Sequence, residues 1–175
     1  MRYGITLIAV LGILSVSVAG CGSASSSSSA AAPAGTATTS STQHVALAKT
    51  KFVLHLALGF GAFHRWIYKP AKAGTLRHPF EHPLTAAKAA LAAAFVYHEL
   101  KLALADAQAD PTLSKLVAPI TALQNRFHGL AGSVKSSGAS ATDASGLNGS
   151  VSSLEGQSSG AGAPITEQTP ASPSG

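Results

Sequence analysis

Apolar residues return at steps of three and four through the middle of the chain. Val53, Leu56, Phe60, Phe63 and Ile67 draw one stripe, which predicts a helix over residues 45–68 with His44, Lys51 and His55 on its other face. Lys69-Pro70 is expected to end it, because proline biases the preceding residue away from helical angles. Gly59 and Gly61 fall inside the stripe, where each costs about 1 kcal/mol relative to alanine. Either a neighbouring helix packs very close there or the helix breaks. Beyond a link punctuated by Gly74, Pro79 and Pro83, a second, alanine-rich helix is predicted over residues 84–109. Leu84, Leu91, Phe95, His98 and Leu102 share one of its faces, and Tyr97, Leu100 and Leu104 point elsewhere. A helix apolar on two sides belongs between two neighbours. Asp110-Pro111 then reads as a restart, with a capping aspartate and a proline at the first helical position. Leu113, Leu116, Ile120, Leu123, Phe127, Leu130 and Val134 keep heptad spacing through a third helix, which Pro119 is expected to kink or split.

These elements make an all-α protein, a small up-down-up three-helix bundle over residues 43–135, long enough for one modest core. Composition marks its edges. Residues 22–42 are nearly all Ser, Ala, Thr and Gly, and cannot bury enough apolar area to offset ordering entropy. With Cys21 they form a flexible tether, residues 21–42. Residues 136–175 are rich in Ser and Gly, hold no Lys or Arg, and read as a mostly disordered tail. Within that tail Ala144, Leu147, Val151 and Leu154, spaced by three, four and three, offer a weak fourth helix near residues 143–161.

The first twenty residues have a different character. Arg2 supplies a positive start, and an apolar stretch over residues 5–14 follows, short of the roughly 20 residues a bilayer span needs. This is the core of a signal peptide, residues 1–20. Val18-Ala19-Gly20-Cys21 resembles the lipobox of bacterial lipoproteins, in which a diacylglyceryl group is placed on the cysteine before cleavage ahead of it. The resemblance covers the leader only. It implies a mature chain that begins at acylated Cys21 and sits on the extracytoplasmic side of the cell membrane, with membrane lipid as its first partner. Each buried methylene contributes about 0.8 kcal/mol and one acyl chain holds marginally, so two chains make the attachment durable. Cys21 is the only cysteine, which excludes an intrachain disulfide and thiolate zinc sites.

Charge sharpens the division. Residues 43–135 carry eleven Lys or Arg against Glu81, Glu99, Asp106 and Asp110, a net +7, while the tail carries only Asp143, Glu155 and Glu167. A basic domain tethered to a membrane feels the negative potential of anionic headgroups, about 1 kcal/mol per Lys or Arg near the surface. Weak contact with anionic lipid or another envelope polyanion is therefore expected. The cations form no dense run, so no nucleic-acid partner is expected.

Candidate chemistry is sparse. His78-Pro79-Phe80-Glu81-His82 carries the letters of a zinc-peptidase helix, but Pro79 and Pro83 deny it the helix that would place both histidines on one metal. It reads as a turn with solvated histidines. His98 on the core face of the second helix, with His55, His64 and His128 on other helices, raises a histidine-ligated metal or haem site as the alternative reading. No i, i+4 ligand pair marks a helix face, and Met1 is the only methionine, so no metal ligand or cofactor is assigned. The serines crowd the tether and tail, away from a rigid scaffold, leaving Ser114 and Ser133 in the domain. Glu99 and Asp106, seven apart, read as solvated edge charges. No catalytic residue is assigned. Phe60, Phe63, Trp66 and Tyr68 beside Arg65 and Lys69 fit either an anchor in the membrane interface or core packing, and their helical spacing favours the core. Lys51, His55, Arg65, Lys88 and His98 break every stretch long enough to span. The expectation is a non-catalytic binding or structural module at the outer face of the membrane.

The leader makes one direct prediction. Mass spectrometry of the mature protein should find an acylated Cys21 at its N-terminus, and Cys21→Ser should abolish the acylation. A mature wild-type chain starting at any other residue would overturn the assignment.

Overall fold

The computed structural model describes residues 37–175, with side chains from residue 47 onward. The leader, Cys21 and the tether up to residue 36 lie outside them. Every regular element among the described residues is helical, as the periodicity required.

The first helix, α1 (Ala37–Phe63), begins inside the stretch read as tether, since adding a turn to a formed helix is far easier than nucleating one. It also runs past its expected end. A π turn (His64–Tyr68) follows, with the Lys69 N–H bonded to the His64 carbonyl, and then α2 (Lys69–Lys72). Pro70 stands in the first turn of α2, where the widened spacing asks for no donor, so the proline does not stop the helix. The stop is Gly74, at φ +79°, which lets its N–H reach the Ala71 carbonyl and the Thr75 N–H reach back to Pro70.

The next long helix, α3 (Pro83–Ala109), occupies the predicted span but buries a different face. Leu84 is 77% exposed and Leu91 51%, and His98 is exposed as well. The buried line is Ala86, Ala89, Ala93, Val96, Leu100, Ala103 and Ala107, spaced by alternating three and four. Alanine side chains add little thickness, so α3 packs against both α1 and α4, which gives it the central place expected of it.

Asp110 is buried and accepts hydrogen bonds from the Thr112 N–H and hydroxyl, both at 2.8 Å, opening a 3-10 turn over Pro111–Leu116. Helix α4 (Val117–Ser136) continues from it. All seven heptad positions from Leu113 to Val134 are buried. Pro119 falls in the first turn of α4, where its N–H would have no partner anyway, and the break comes just before it at the 3-10 junction.

The tail is where the observed architecture departs furthest from expectation. Residues Ala141–Gly160 form a full fourth long helix, α5, closed at its start by a capping box between Ser140 and Asp143. Ala144, Leu147, Val151 and Leu154 are buried, the four residues whose spacing had offered it. It packs against α4, α2 and the π turn. Beyond α5 the chain is an extended strap. Ala163 is buried, the Gln168 N–H donates to the Ala57 carbonyl at 3.0 Å, and the strap backbone crosses α1 at Gly61. Both interior glycines of α1 are thus sites of close approach. A Cβ on Gly59 would stand 3.3 Å from the Glu99 Cβ of α3, and one on Gly61 would collide with the Gln168 backbone. At the end of the molecule holding the α2–α3 link, the Ala139 N–H donates to the Leu76 carbonyl and ties the α4–α5 link to it.

Helix propensity alone says that Gly→Ala gains about 1 kcal/mol anywhere in these helices. Gly149→Ala in α5, with open space around it, should show up to that gain in thermal unfolding. Gly61→Ala should instead lose about 1 kcal/mol or more and open the strap to protease cleavage near residue 168. Equal gains from both would mean that the strap does not lie on α1.

Candidate functional site

Three side-chain clusters collect along α1 and its π turn. In the first, His55 Nδ1 lies 2.7 Å from Glu99 Oε2, and His55 Nε2 lies 3.7 Å from Asp106 Oδ2. Both carboxylates come from α3, one heptad apart. Glu99 is buried, and burial pushes the Asp106 carboxyl above its ordinary range against the pull of His55 and then Lys51. These are not solvated edge charges. They form an interhelical tie, and Gly59 one turn from His55 brings α3 close enough to make it.

The second cluster is built on the π turn, a geometry that recurs at functional sites. His64 Nδ1 lies 2.6 and 2.7 Å from the two carboxylate oxygens of Glu167 in the strap. Its Nε2 lies 2.5 Å from Asn148 Oδ1 of α5, and its ring meets Tyr68 edge-on at 5.4 Å. Glu155 of α5 joins them. Burial, and after it the neighbouring Glu167 carboxylate, push its carboxyl above the ordinary range, while His64 pulls the other way. The cluster draws α5 and the strap onto the π turn.

The third is a cleft of about 310 Å³ lined by Arg65, Trp66, Lys69, Pro70, Thr85 and Lys88. The Arg65 guanidinium carbon lies 4.9 Å from the centre of the Trp66 ring and Lys88 Nζ 5.7 Å from it. The indole Nε1 is buried and meets no acceptor. Phe60, Phe63 and Ile67, by contrast, are fully buried in the core, as their spacing indicated. Trp66 is the only tryptophan of the chain.

The other candidates do not converge. His98 is exposed rather than on the core face, and the His128 ring lies tilted against Tyr97 with centroids 5.3 Å apart. His78, Glu81 and His82 stand exposed in the α2–α3 link. Among the described residues no three of His, Cys, Asp and Glu are placed to hold a metal ion, and no helix is long and apolar enough to cross a membrane. The Ser114 and Ser133 hydroxyls donate to the carbonyls of Pro111 and Leu130 within their own turns. Sequence reasoning missed the two histidine clusters because both depend on contacts between elements distant along the chain. Compared with known proteins, the chain matches no family model, no curated protein and no solved structure.

The Glu155 carboxyl gives a pH signature. A carboxyl whose value is raised by folding favours the folded state below its unfolded value, near 4.5, and that advantage is lost as pH rises through the folded value. Glu155→Gln keeps the neutral form. It should therefore raise the melting temperature at pH 7 and leave it unchanged near pH 4. Equal melting temperatures at both pH values would show that burial and Glu167 do not burden Glu155.

Proposed function

We propose that this protein is a bacterial lipoprotein held at the outer face of the cell membrane through acylated Cys21. Its helical domain acts there as a non-catalytic binding or structural module, and its basic end rests on anionic headgroups. The scaffold is an up-down-up arrangement of α1, α3 and α4, reinforced by α5.

The observation that carries the membrane contact is the distribution of uncompensated charge. Among the described residues the three ion pairs all use histidine, and no Lys or Arg is paired with a carboxylate. Arg65, Lys69, Lys72, Arg77, Lys88 and Lys135 gather toward the end that holds the α2–α3 and α4–α5 links, against Glu81 and Asp143. Phe80, 83% exposed, and Leu84, 77% exposed, stand among them. Cations beside exposed apolar side chains are the chemistry of a surface that lies on lipid. At about 1 kcal/mol per cation near an anionic surface, several of these together give a real but salt-sensitive attraction. The stretch from Cys21 to Ala37 can span at most about 55 Å. That is close to the length of α1 through α2 at about 1.5 Å per residue, so the basic end can meet the membrane.

A vesicle titration of residues 22–175, which lack the anchor, tests the contact. Binding to vesicles containing anionic lipid is expected at low salt and should weaken strongly at physiological salt, where the Debye length is about 8 Å. Vesicles of zwitterionic lipid alone should not bind. Trp66 emission should show no blue shift, since the aromatics around it are used in the core. Absence of binding at low salt would remove the proposal, and salt-resistant binding with a blue shift would replace it with insertion.

A further inference from the structure

We infer that the cleft beside Trp66 is a binding site for a phosphate group. The inference deepens the proposed membrane contact by naming the group recognised, and it rests on that reading only for the lipid as the source of the phosphate.

Three features point to such a ligand. First, Arg65, Lys69 and Lys88 come from three different elements, the π turn, α2 and α3, and converge on one concavity whose lining holds no carboxylate. Like charges brought together without a counterion repel, and an anion seated between them removes that repulsion. Three cations match the charge and oxygen count of a phosphate better than those of a single carboxylate. Second, the lining holds neutral donors as well. Thr85 supplies a hydroxyl, and the Trp66 Nε1–H is buried without an acceptor. A buried donor left unmade is costly, so a site that supplies its acceptor gains more than one with its donors already bonded. Third, α3 opens beside the cleft with Pro83, no side-chain cap and no acidic residue in its first turn. Its positive end therefore adds to the field of the three cations.

A phosphate diester in a lipid headgroup and free phosphate present the same chemistry to this cleft. Recognition by Arg65 would be through paired N–H donors, and Lys69 and Lys88 would act as point charges.

The test uses the mature chain in neutral detergent, labelled with 15N-tryptophan so that Trp66 gives the single indole N–H signal. Inorganic phosphate, soluble dihexanoyl phosphatidylglycerol, and sodium chloride at matched ionic strength are titrated in turn. A saturable shift of the indole signal with either phosphate probe and not with chloride is expected. Arg65→Gln combined with Lys69→Gln should weaken that binding at least tenfold, and Lys115→Gln, remote from the cleft, should leave it unchanged. A shift with the lipid probe only assigns the site to headgroups, and a shift with inorganic phosphate only assigns it to free phosphate. Either supports the site. Equal shifts with chloride, no shift with either phosphate probe, or full binding in the Arg65→Gln, Lys69→Gln chain overturns it. The two proposals fail separately. Vesicle binding at low salt without a saturable indole shift from either phosphate probe sinks the site and keeps the membrane contact, whereas a saturable shift without vesicle binding does the reverse.

Discussion

The closeness with which α3 can approach α1 and α4 governs the rest of the molecule. Its buried line is alanine at five of seven positions, so the neighbouring helices come near enough for short side chains to meet across the seam. Glu99 can then reach His55 at 2.7 Å, and Gly59 removes the one Cβ that would crowd the Glu99 stem. A seam built of leucine would hold the helices farther apart and leave Glu99 buried without its partner, at a cost of about 3 kcal/mol or more. Packing and polar pairing therefore depend on each other here. The larger apolar residues of the core lie to either side, on α1 as Phe52, Leu56, Phe60 and Phe63 and on α4 as Ile120, Leu123 and Phe127.

That dependence explains which parts of the fold were legible in the sequence. On α4 large apolar residues hold a strict heptad, and every one of them is buried. On α3 the larger apolar residues at 84 and 91 point outward while small ones carry the core, so a reading weighted by hydrophobic size selects the wrong face. The alternating three and four spacing of Ala86 through Ala107 was present in the sequence, but alanine is common on any helix face and its burial shows only against neighbours. In α5 the composition argued for disorder. Its start is held by a capping box and its body by four apolar residues, and propensity contributes little. The polar clusters were less legible still. His64 meets Glu167 across 103 positions and His55 meets Glu99 across 44, and no local pattern announces such pairs. The basic residues around Trp66 were visible, but not the cleft they line.

The strap is bound to α1 through small residues, and His64 of the π turn binds both the strap and α5. Ala57 and Gly61 lie one turn apart on α1, and together they clear a path along which another backbone can lie in direct contact, accepting the Gln168 N–H. The π turn then carries His64 between Glu167 and Asn148, so that one imidazole touches both the strap and α5. Pro70 is part of the same device. An ordinary α turn there would set the ring against the preceding carbonyl, and the widened turn relieves that conflict while it carries the helical run onward to α2.

The same interactions determine the electrostatic character of the surface. Of the seven carboxylates, Glu99, Asp106 and Glu167 face histidines, Glu155 leans on Glu167, and Asp110 and Asp143 cap helix starts. Glu81 stands exposed in the α2–α3 link. None is left to neutralise a lysine or an arginine through contact. A chain with eleven cations in its domain and seven acids overall could have laced its surface with ion pairs, and this one directs its acids inward to histidines and to backbone amides. The domain consequently presents a positive field stronger than a chain of the same net charge with paired cations would show at short range. That field is greatest where Arg65, Lys69, Lys72 and Lys88 crowd the end of α1 through α2 and the start of α3. The cleft and the exposed Phe80 and Leu84 lie at that same end.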